Sequence, residues 1–354
     1  MPYIRSIRRT PLGAPGGIHK RKKIIDFAST VACGALGGQL LDVLILGISH
    51  GEGLSGRSMR QILETCKLPA TLDALLLLEG ESAGFRALDL CVKNISSGAS
   101  NALALAASSV SNLPYLLPDA RRGRRMGSSS ALDPLLLGDI PMPIGDYTGH
   151  GEWVENTLLK AHKKHGSGAF KAEIAEDAGD EFLENPLLRL SAPNLSQLVP
   201  TERQMAPLAE GACGVLLEKQ PSGQALARII GIQIAPDSDG DGQATLKVLR
   251  EVSGFDPLRA DRMDIVDPCA SHPLRFINSA GIQEISKINP AGGALAMGYI
   301  PGAAGLRALA TLVHGLQPGQ TGLCFQFGNG WSAGILVKSV TQDCSSDLFH
   351  KFTK

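Results

Sequence analysis

Residues 72–98 read LDALLLLEGESAGFRALDLCVKNISSG, and this stretch decides the predicted fold. Residues 75–78 are an apolar run that is short enough for a strand buried on both faces of a sheet. From residue 85 to residue 95, apolar side chains recur at helical spacing, which predicts a helix packed on that sheet. Gly80 and Gly84 permit a tight turn between the two elements, and the N–H groups at the helix start favour negative charge. The stretch therefore predicts a strand-to-helix corner that carries the chemistry.

Two interpretations of this corner compete. Residues 80–84, GESAG, match the Gly-x-Ser-x-Gly elbow of α/β-hydrolases, in which Ser82 would be the nucleophile. That interpretation needs an Asp and a His after Ser82 in the chain, and His272 is the candidate base. Against it, a serine at the start of a helix is commonly a cap, and a structural or surface role for His272 is about as common. The other interpretation, the nucleophile corner of a different family, depends on the rest of the chain.

Composition predicts an ordinary soluble protein. The chain has 354 residues, 44% hydrophobic residues and zero formal net charge, so it can bury a large core. Aromatic residues make up only 5% and the basic runs are short, so nucleic acid is not an expected partner. No segment approaches the ~18 uninterrupted apolar residues of a membrane span, and the N-terminus lacks an apolar signal core.

The number and spacing of the cysteines indicate the redox compartment and whether a metal site is expected. The chain has seven cysteines, an odd number without a Cys-x-x-Cys pair, which argues against a disulfide framework and a structural zinc site. We therefore expect no bound metal and a reducing, cytoplasmic location. Cys213, Cys269 and Cys324 are predicted to be small buried apolar groups, because free cysteines usually behave in that way.

Strands and helices are predicted to alternate along the chain, which is typical of a layered α/β fold. Residues 1–117 form an N-terminal half and residues 206–354 a C-terminal half, and each has a glycine-flanked corner that leads into a helix. Residues 118–205 are rich in Pro, Gly, Asp, Lys and Ser and are predicted to be an inserted loop region. The predicted strands are residues 3–9, 41–48, 75–78, 101–107, 211–218, 225–234, 263–266, 322–327 and 334–338. The predicted helices include residues 24–36, 58–66 and 244–252.

The C-terminal half carries the most specific motif. Residues 292–307, GGALAMGYIPGAAGLR, resemble the thiolase signature, in which GGA precedes GHPxGxSGxR and the latter carries a catalytic histidine. Residues 8–13, RRTPLG, are similar to the opening RTPfG of that family. Residues 111–118, SNLPYLLP, and the pair Glu155-Asn156 resemble further family segments in the right order. The resemblance to the thiolase superfamily therefore covers most of the chain.

The resemblance implies a five-layered αβαβα fold of the α/β class, with two similar halves, mixed sheets and the inserted loop region. It implies transfer of acyl groups between coenzyme A thioesters, with a coenzyme A thioester as ligand and no permanently bound cofactor. Expected partners are an acyl-CoA or an acyl-carrier protein, further copies of the chain in a homodimer or homotetramer, or an active thiolase-like subunit in a heteromer. Arg121, Arg124 and Arg125 are candidates for contacts with coenzyme A phosphates, because guanidinium groups suit phosphate; a solvated loop is the alternative.

The family's catalytic residues are replaced together in this chain. Alignment of ESAGFRAL with the family's CxSGLQAL places Glu81 at the nucleophilic cysteine, and Tyr299 occupies the histidine of GHPxG. Near the end of the chain, Gln326 aligns with the second cysteine, although Cys324 is two residues away and a small gap would favour it. Cys269 lies roughly where the family has the asparagine of its NEAF motif.

These replacements are unfavourable to standard thiolase chemistry. A thiolate forms a thioester of energy similar to that of the substrate, whereas a carboxylate would form an anhydride, and tyrosine is a poor base because its pKa is about 10. One hypothesis is a non-catalytic protein that binds an acyl ligand or partners an active homologue, with a Glu81 oxygen placed among the N–H groups of the helix start. The other is an active acyltransferase or thioester hydrolase that uses Glu81 or Ser82, with His272 and Tyr299 nearby.

Overall fold

Nine strands form one mixed sheet in the computed structural model, which describes residues 1–118, 120–123, 131–134 and 205–340 without residues 52, 224 and 329. The strands are β1 (Tyr3–Arg9), β2 (Val43–Ile48), β3 (Asp73–Leu78), β4 (Asn101–Ser108), β5 (Gly211–Glu218), β6 (Ala227–Pro236), β7 (Arg262–Ile265), β8 (Thr321–Gly328) and β9 (Trp331–Ser339). Their order across the sheet is β3-β2-β4-β5-β1-β6-β9-β8-β7. Strand β2 runs parallel to β3 and β4, and β7 runs parallel to β8, while the other neighbours are antiparallel.

The sheet consists of two sections that meet at a short seam. The N-terminal section is β3-β2-β4-β5-β1, and the C-terminal section is β6-β9-β8-β7. Strands β1 and β6 pair only through Tyr3 with Arg228 and Ile4 with Ala227. The mixed α/β fold is confirmed, with the difference that the sheets of the two halves are continuous across this seam. Strand β5 lies in the range predicted as the C-terminal half, yet it pairs with β4 and β1, so a boundary at residue 206 does not coincide with the seam.

Seven α-helices of the described residues cover the two sections. They are α1 (Ile24–Leu36), α2 (Gly56–Thr65), α3 (Ala83–Ser96), α4 (Gln243–Ser253), α5 (Ser271–Ala280), α6 (Gly293–Met297) and α7 (Ala304–Gly315). Helices α1 and α2 pack on the outer face of the N-terminal section, and α4 and α5 pack on the outer face of the C-terminal section. Helices α3 and α7 contact each other and lie between the two sections. This order of helix, sheet, helix, sheet and helix is the five-layered arrangement that the resemblance implies.

Small side chains on one face of the N-terminal section let the central helices approach. Along β4, Ala102, Ala104 and Ala106 belong to the core around α3 and α7. Leu103 and Leu105 belong to the core under α1 and α2. Successive side chains of a strand point to opposite faces, so this alternation of small and large residues separates a close central layer from a thicker outer one.

Most predicted elements are confirmed, and the differences have physical reasons. Helix α1 and strand β5 have the predicted bounds. Strand β3 is not buried on both faces, because it is the outermost strand of the sheet, and Leu75 and Leu78 are 45% and 62% exposed. Helices α5 and α6 have no counterpart among the predicted elements.

The cysteines differ from expectation at one place. Cys33 in α1 and Cys66, which follows α2, form a disulfide with their Cα atoms 5.2 Å apart. The expectation rested on the odd count and the lack of a Cys-x-x-Cys pair, but these residues are 33 positions apart and meet because α1 packs against α2. The predicted burial of Cys213, Cys269 and Cys324 is confirmed.

Three further expectations concern membrane spans, metal sites and the inserted region. No helix among the described residues is long and apolar enough to cross a membrane. The same residues contain no cluster of three or more His, Cys, Asp or Glu side chains placed to hold a metal ion. The inserted region predicted at residues 118–205, including Glu155-Asn156, lies almost entirely outside the described residues, so its nature stays a prediction.

We expect Gly84→Ala to destabilise the protein, because Gly84 contacts the backbone of the loop before α7. An added Cβ would lie 2.8 Å from the carbonyl oxygen of Gly302 and 3.1 Å from Cγ of Leu306. Alanine gains about 1 kcal/mol of helix propensity, but overpacking against a fixed backbone costs about 1–3 kcal/mol or more, so the clash should win. Urea unfolding measures the net loss. Gly223→Ala is the control, because nothing lies within 4 Å of its added Cβ, and equal stability of the two variants would contradict the contact.

Candidate active site

The corner between β3 and α3 has the predicted strand-to-helix geometry. Strand β3 ends at Leu78, Gly80–Ser82 form a single 3₁₀ turn, and α3 begins at Ala83. Gly80 has a φ of +54°, in the left-handed region that favours glycine, so a residue with a Cβ would strain the turn. The turn brings Glu81 against the loop that precedes α7.

Three segments of the chain meet at Glu81. Its carboxylate accepts a hydrogen bond from the hydroxyl of Tyr299, and its Oε2 also accepts from the backbone N–H of Gly302 at 3.5 Å. The backbone carbonyl of Glu81 accepts a hydrogen bond of 3.0 Å from Nε2 of Gln326. These are the residues that the sequence places at the nucleophile, histidine and second-cysteine positions. The structure therefore brings Glu81, Tyr299 and Gln326 together.

Tyr299 is held by its backbone as well as by its hydroxyl. Its N–H donates to the carbonyl of Pro207, and its carbonyl accepts from the N–H of Ala209, each at 2.8 Å. Gly298 has a φ of +99°, and an added Cβ there would lie 2.6 Å from Cβ of Ala209. The side chain of Tyr299 is only 3% exposed. The phenol is therefore fixed in its position against Glu81.

The loop before α7 reaches the corner because it has glycine at the point of contact. Gly302 has a φ of +72°, and an added Cβ would lie 2.8 Å from the backbone nitrogen of Ser49 and 3.2 Å from the carbonyl oxygen of Gly80. The carbonyl of Gly302 accepts a hydrogen bond of 2.9 Å from the N–H of Gly84. The end of β2, the corner and this loop thus lie backbone against backbone, which places the Gly302 N–H next to Glu81.

Gln326, rather than Cys324, contacts the corner. Both side chains are buried on the inner face of β8, two residues apart. The thiol of Cys324 donates to the carbonyl of Gly305 at 3.7 Å, and burial raises its pKa well above the usual range. The Oε1 atom of Gln326 has no hydrogen-bond partner among the described residues. The Cys324 thiol is therefore protonated at neutral pH and is not a nucleophile here.

The structure does not bring Ser82 and His272 together, which corrects the serine-nucleophile interpretation. Ser82 Oγ donates to the backbone carbonyl of Glu79 at 3.0 Å and to its carboxylate at 3.1 Å, so the serine closes its own turn. His272 lies on α5 and packs edge-on against Phe327, with ring centroids 6.2 Å apart. Phe327 and Gln326 are neighbours in β8 and point to opposite faces, so His272 lies on the outer side of the sheet from the corner.

Asp267 supports the site, although its motif did not predict a role for it. Asp267 follows β7 and is fully buried, and its carboxylate accepts hydrogen bonds from the N–H groups of Ala294 and Leu295 at the start of α6. An added Cβ at Gly293 would collide with this carboxylate, so glycine is required there. Helix α6 leads directly into Tyr299. An acidic residue directly after a buried strand, together with the later Gly-Gly pair, was the available signal.

A buried arginine interacts electrostatically with Asp267. Arg307 in α7 is 1% exposed, and no nitrogen of its guanidinium has a hydrogen-bond partner among the described residues. Burial raises the pKa of Asp267 to about 7, and the charge of Arg307 and the backbone donors offset only part of that rise. Burial also raises the pKa of the Cys269 thiol, which lies 3.1 Å from Oγ of Ser271. Cys269 is therefore not a reactive thiolate.

The predicted phosphate-binding arginines are described only in part. Arg121 lies in the 3₁₀ turn Ala120–Arg122, and its side chain is exposed. Arg124 and Arg125 lie outside the described residues. The role of all three in binding coenzyme A stays a prediction.

Two sheet sections around a shared helix pair, with a corner that faces a glycine-rich loop, define a fold of the thiolase type. Residues 237–338 match the family model of the thiolase C-terminal domain. An acetyl-CoA acetyltransferase from Allochromatium vinosum is 26% identical over 351 residues, which covers 85% of this chain and 88% of that protein. The structure of a thiolase from Ascaris suum in complex with coenzyme A has a TM-score of 0.81 at 22% identity and covers 96% of this chain and 100% of that one. Human mitochondrial 3-ketoacyl-CoA thiolase has a TM-score of 0.82 at 21% identity and covers 96% and 98%. The chain thus has the thiolase fold and is similar to thiolases over most of its length.

Removing the phenol hydroxyl with Tyr299→Phe should destabilise the protein by about 1–3 kcal/mol, because hydrogen bonds to charged groups contribute about that much. Glu81→Gln should weaken the same interaction, so urea unfolding of the double variant should reveal a coupling of about 1–2 kcal/mol. Tyr115→Phe is the matched control, since Tyr115 is 67% exposed, and its effect should stay near zero. Fully additive losses from the two site variants would contradict the interaction.

The free energy of unfolding should fall as the pH rises from about 4 to about 7, in part because of Asp267. The pKa of Asp267 is about 7 in the folded protein and near 3.9 in an unfolded chain, so the folded state binds more protons between these values. Asparagine resembles the protonated acid, so Asp267→Asn should remove up to roughly 4 kcal/mol of this pH dependence. Unfolding curves across that pH range measure it. Burial also raises the pKa of Glu210, but that contribution is common to both proteins, so parallel pH profiles would contradict the assignment.

Proposed function

We propose that this protein is a thiolase-superfamily member of acyl-CoA or acyl-carrier metabolism that binds an acyl ligand without standard thiolase activity. The observation that carries the proposal is the contact between Glu81, at the nucleophile position, and the hydroxyl of Tyr299, at the histidine position. The Glu81 carboxylate also accepts a hydrogen bond from the backbone N–H of Gly302. Donors at such a position would otherwise stabilise the oxyanion of a reacting thioester.

Among the described residues, none of the groups at the corner is suited to thioester exchange. Transfer of an acyl group to Glu81 would form a mixed anhydride, which is higher in energy than a thioester. Tyr299 is a poor proton acceptor near neutral pH, because the usual pKa of a phenol is about 10. The thiols of Cys324 and Cys269 are buried, and burial raises the pKa of each. These properties support a protein that retains the acyl-transfer architecture without its reactive groups.

A coenzyme A thioester is the ligand class that we propose. The structural neighbour from Ascaris suum was solved in complex with coenzyme A, and the relative from Allochromatium vinosum is an acetyl-CoA acetyltransferase. Arg121, Arg124 and Arg125 are the proposed contacts for its phosphates, since guanidinium–phosphate pairs are strong and bidentate. An acyl-carrier protein is the alternative carrier of the acyl group. The proposal includes no permanently bound cofactor.

An active acyltransferase or thioester hydrolase is the second candidate function. Glu81 is half-buried rather than fully buried, which favours access of a ligand to this residue. The name of the Allochromatium vinosum relative is that of an active enzyme. In this alternative Glu81 acts as a base or as the acyl acceptor.

For assembly we propose that two copies of the chain pair through β3. This strand is at the edge of the sheet, and Leu75 and Leu78 are exposed on it. An edge strand with unpaired backbone groups and apolar side chains favours pairing with another strand. A homotetramer and a heteromer with an active thiolase-like subunit are the alternatives.

The function is tested by intact-protein mass spectrometry after incubation with a panel of acyl-CoA thioesters, together with an assay of free coenzyme A and calorimetric binding. We expect binding, without a covalent acyl adduct and without release of coenzyme A. The double variant Glu81→Cys with Tyr299→His should gain an acyl adduct on the introduced thiol, because it supplies a nucleophile and a base at adjoining positions. Tyr299→His alone is the matched control and should stay unmodified.

Two other results would contradict the proposal. Steady release of coenzyme A by the unmodified chain, lost in Glu81→Gln, would overturn the non-catalytic proposal and establish the active alternative. A lack of binding to every thioester in the panel would overturn the ligand class.

A further inference from the structure

A groove of about 610 Å³ lies between α1 and α2. It is on the outer face of the N-terminal section, whereas Glu81 is at the start of α3 on the inner face. The side chains that matter on its walls are Lys23, Asp26, Ser29, Cys33 and Glu64. The candidate active site makes no use of this groove.

The groove presents one sulfur of the Cys33–Cys66 disulfide. Both cysteines are partly exposed, but of the two only Cys33 lines the groove. The other described cysteines are buried, namely Cys91, Cys213, Cys269 and Cys324. A reagent that enters the groove therefore meets Sγ of Cys33 first.

A buried hydroxyl lies beside that sulfur. Ser29 is four residues before Cys33 in α1, so the two side chains are on the same face of the helix. Ser29 is 6% exposed, and its Oγ has no hydrogen-bond partner among the described residues. Burial of an unpaired hydroxyl costs free energy, and an anion in the groove would recover that cost by accepting a hydrogen bond from Ser29.

Cys66 is placed as the leaving group. Its Sγ lies 3.5 Å from the backbone carbonyl oxygen of Ser29. Once released as a thiol, Cys66 can donate its S–H to that carbonyl, so the leaving sulfur already has a hydrogen-bond partner. A thiolate in the groove would therefore attack Cys33, and Cys66 would leave toward the carbonyl of Ser29.

The charges on the groove walls favour a small zwitterionic thiol. Lys23 offers an ammonium group, and Asp26 and Glu64 offer carboxylates. A peptide thiol that carries an amino group and carboxylates can pair with both signs. A polyanionic thiol such as coenzyme A meets more negative than positive charge here and is therefore disfavoured.

We propose that this groove is a thiol–disulfide exchange site for a small zwitterionic peptide thiol. The incoming thiolate attacks Sγ of Cys33, the Cys33–Cys66 bond breaks, and a mixed disulfide forms at Cys33. The electron pair of the broken bond stays on Cys66, which takes up the proton that the incoming thiol has lost. No electrons are gained or lost overall, and attack by the Cys66 thiolate reverses the step. Exchange releases the covalent link between α1 and α2.

Peptide mapping of the wild-type protein after incubation with reduced glutathione and an acid quench tests which sulfur is attacked. We expect a mixed disulfide at Cys33 and a thiol at Cys66. Two variants extend the test with oxidised glutathione, both made with Cys344→Ala because Cys344 lies outside the described residues. Cys66→Ser should form the adduct at Cys33 at least about tenfold faster than Cys33→Ser forms one at Cys66.

Ser29→Ala in the Cys66→Ser background should slow the reaction at Cys33 several-fold, while its thermal unfolding stays close to that of its parent. The disulfide of coenzyme A should react more slowly than oxidised glutathione. Equal rates at the two cysteines, an adduct confined to Cys66, or a faster reaction with the coenzyme A disulfide would each overturn the proposal. Recovery of Cys33 and Cys66 as thiols from protein kept under oxidising conditions would overturn it as well.

Discussion

The backbone contact between Gly84 and Gly302 determines how the two halves of this protein meet. One glycine begins the central helix of the N-terminal half, the other lies in the loop before the central helix of the C-terminal half, and a hydrogen bond of 2.9 Å joins them. Because neither residue has a Cβ, the helix start and the loop approach closely enough for the hydroxyl of Tyr299 to reach Glu81. A side chain at either glycine would separate the two halves at the point where their residues form the site.

The hydrogen-bond donors of the site contact carboxylates of the protein itself. Glu81 accepts hydrogen bonds from the Tyr299 hydroxyl and the Gly302 N–H. Asp267 accepts hydrogen bonds from N–H groups at the start of the short helix that leads to Tyr299. In an enzyme that stabilises developing negative charge, such donors face the substrate. Here two acids of the chain accept these hydrogen bonds, one half-buried and one fully buried near Arg307. At Glu81 these hydrogen bonds join the start of α3 to the loop before α7.

Local patterns predicted much of the fold, and tertiary contacts explain the rest. Helix α1 and strand β5 follow from their own apolar spacing, so their bounds could be predicted from the sequence. The exposure of β3 could not be predicted, because an apolar run does not reveal whether its strand has a neighbouring strand on both sides. In the site, Glu81, Tyr299 and Gln326 followed from motif alignment. Asp267 was missed because its partners are distant in sequence. The separation of Ser82 from His272 depends on the face of β8 against which His272 packs.

The position of β5 in the sheet also affects how the chain folds during synthesis. Strand β5 lies between β4 and β1, although it follows them in the chain. The stretch between Ser108 and Gly211 must therefore leave the ribosome before β1 can join the sheet, which takes on the order of 5–20 s at about 5–20 residues per second. During that interval β4 has an open edge and β1 has no partner on that side, a state that favours association with other nascent chains. The N-terminal segment therefore exposes unpaired strand edges until β5 has been synthesised.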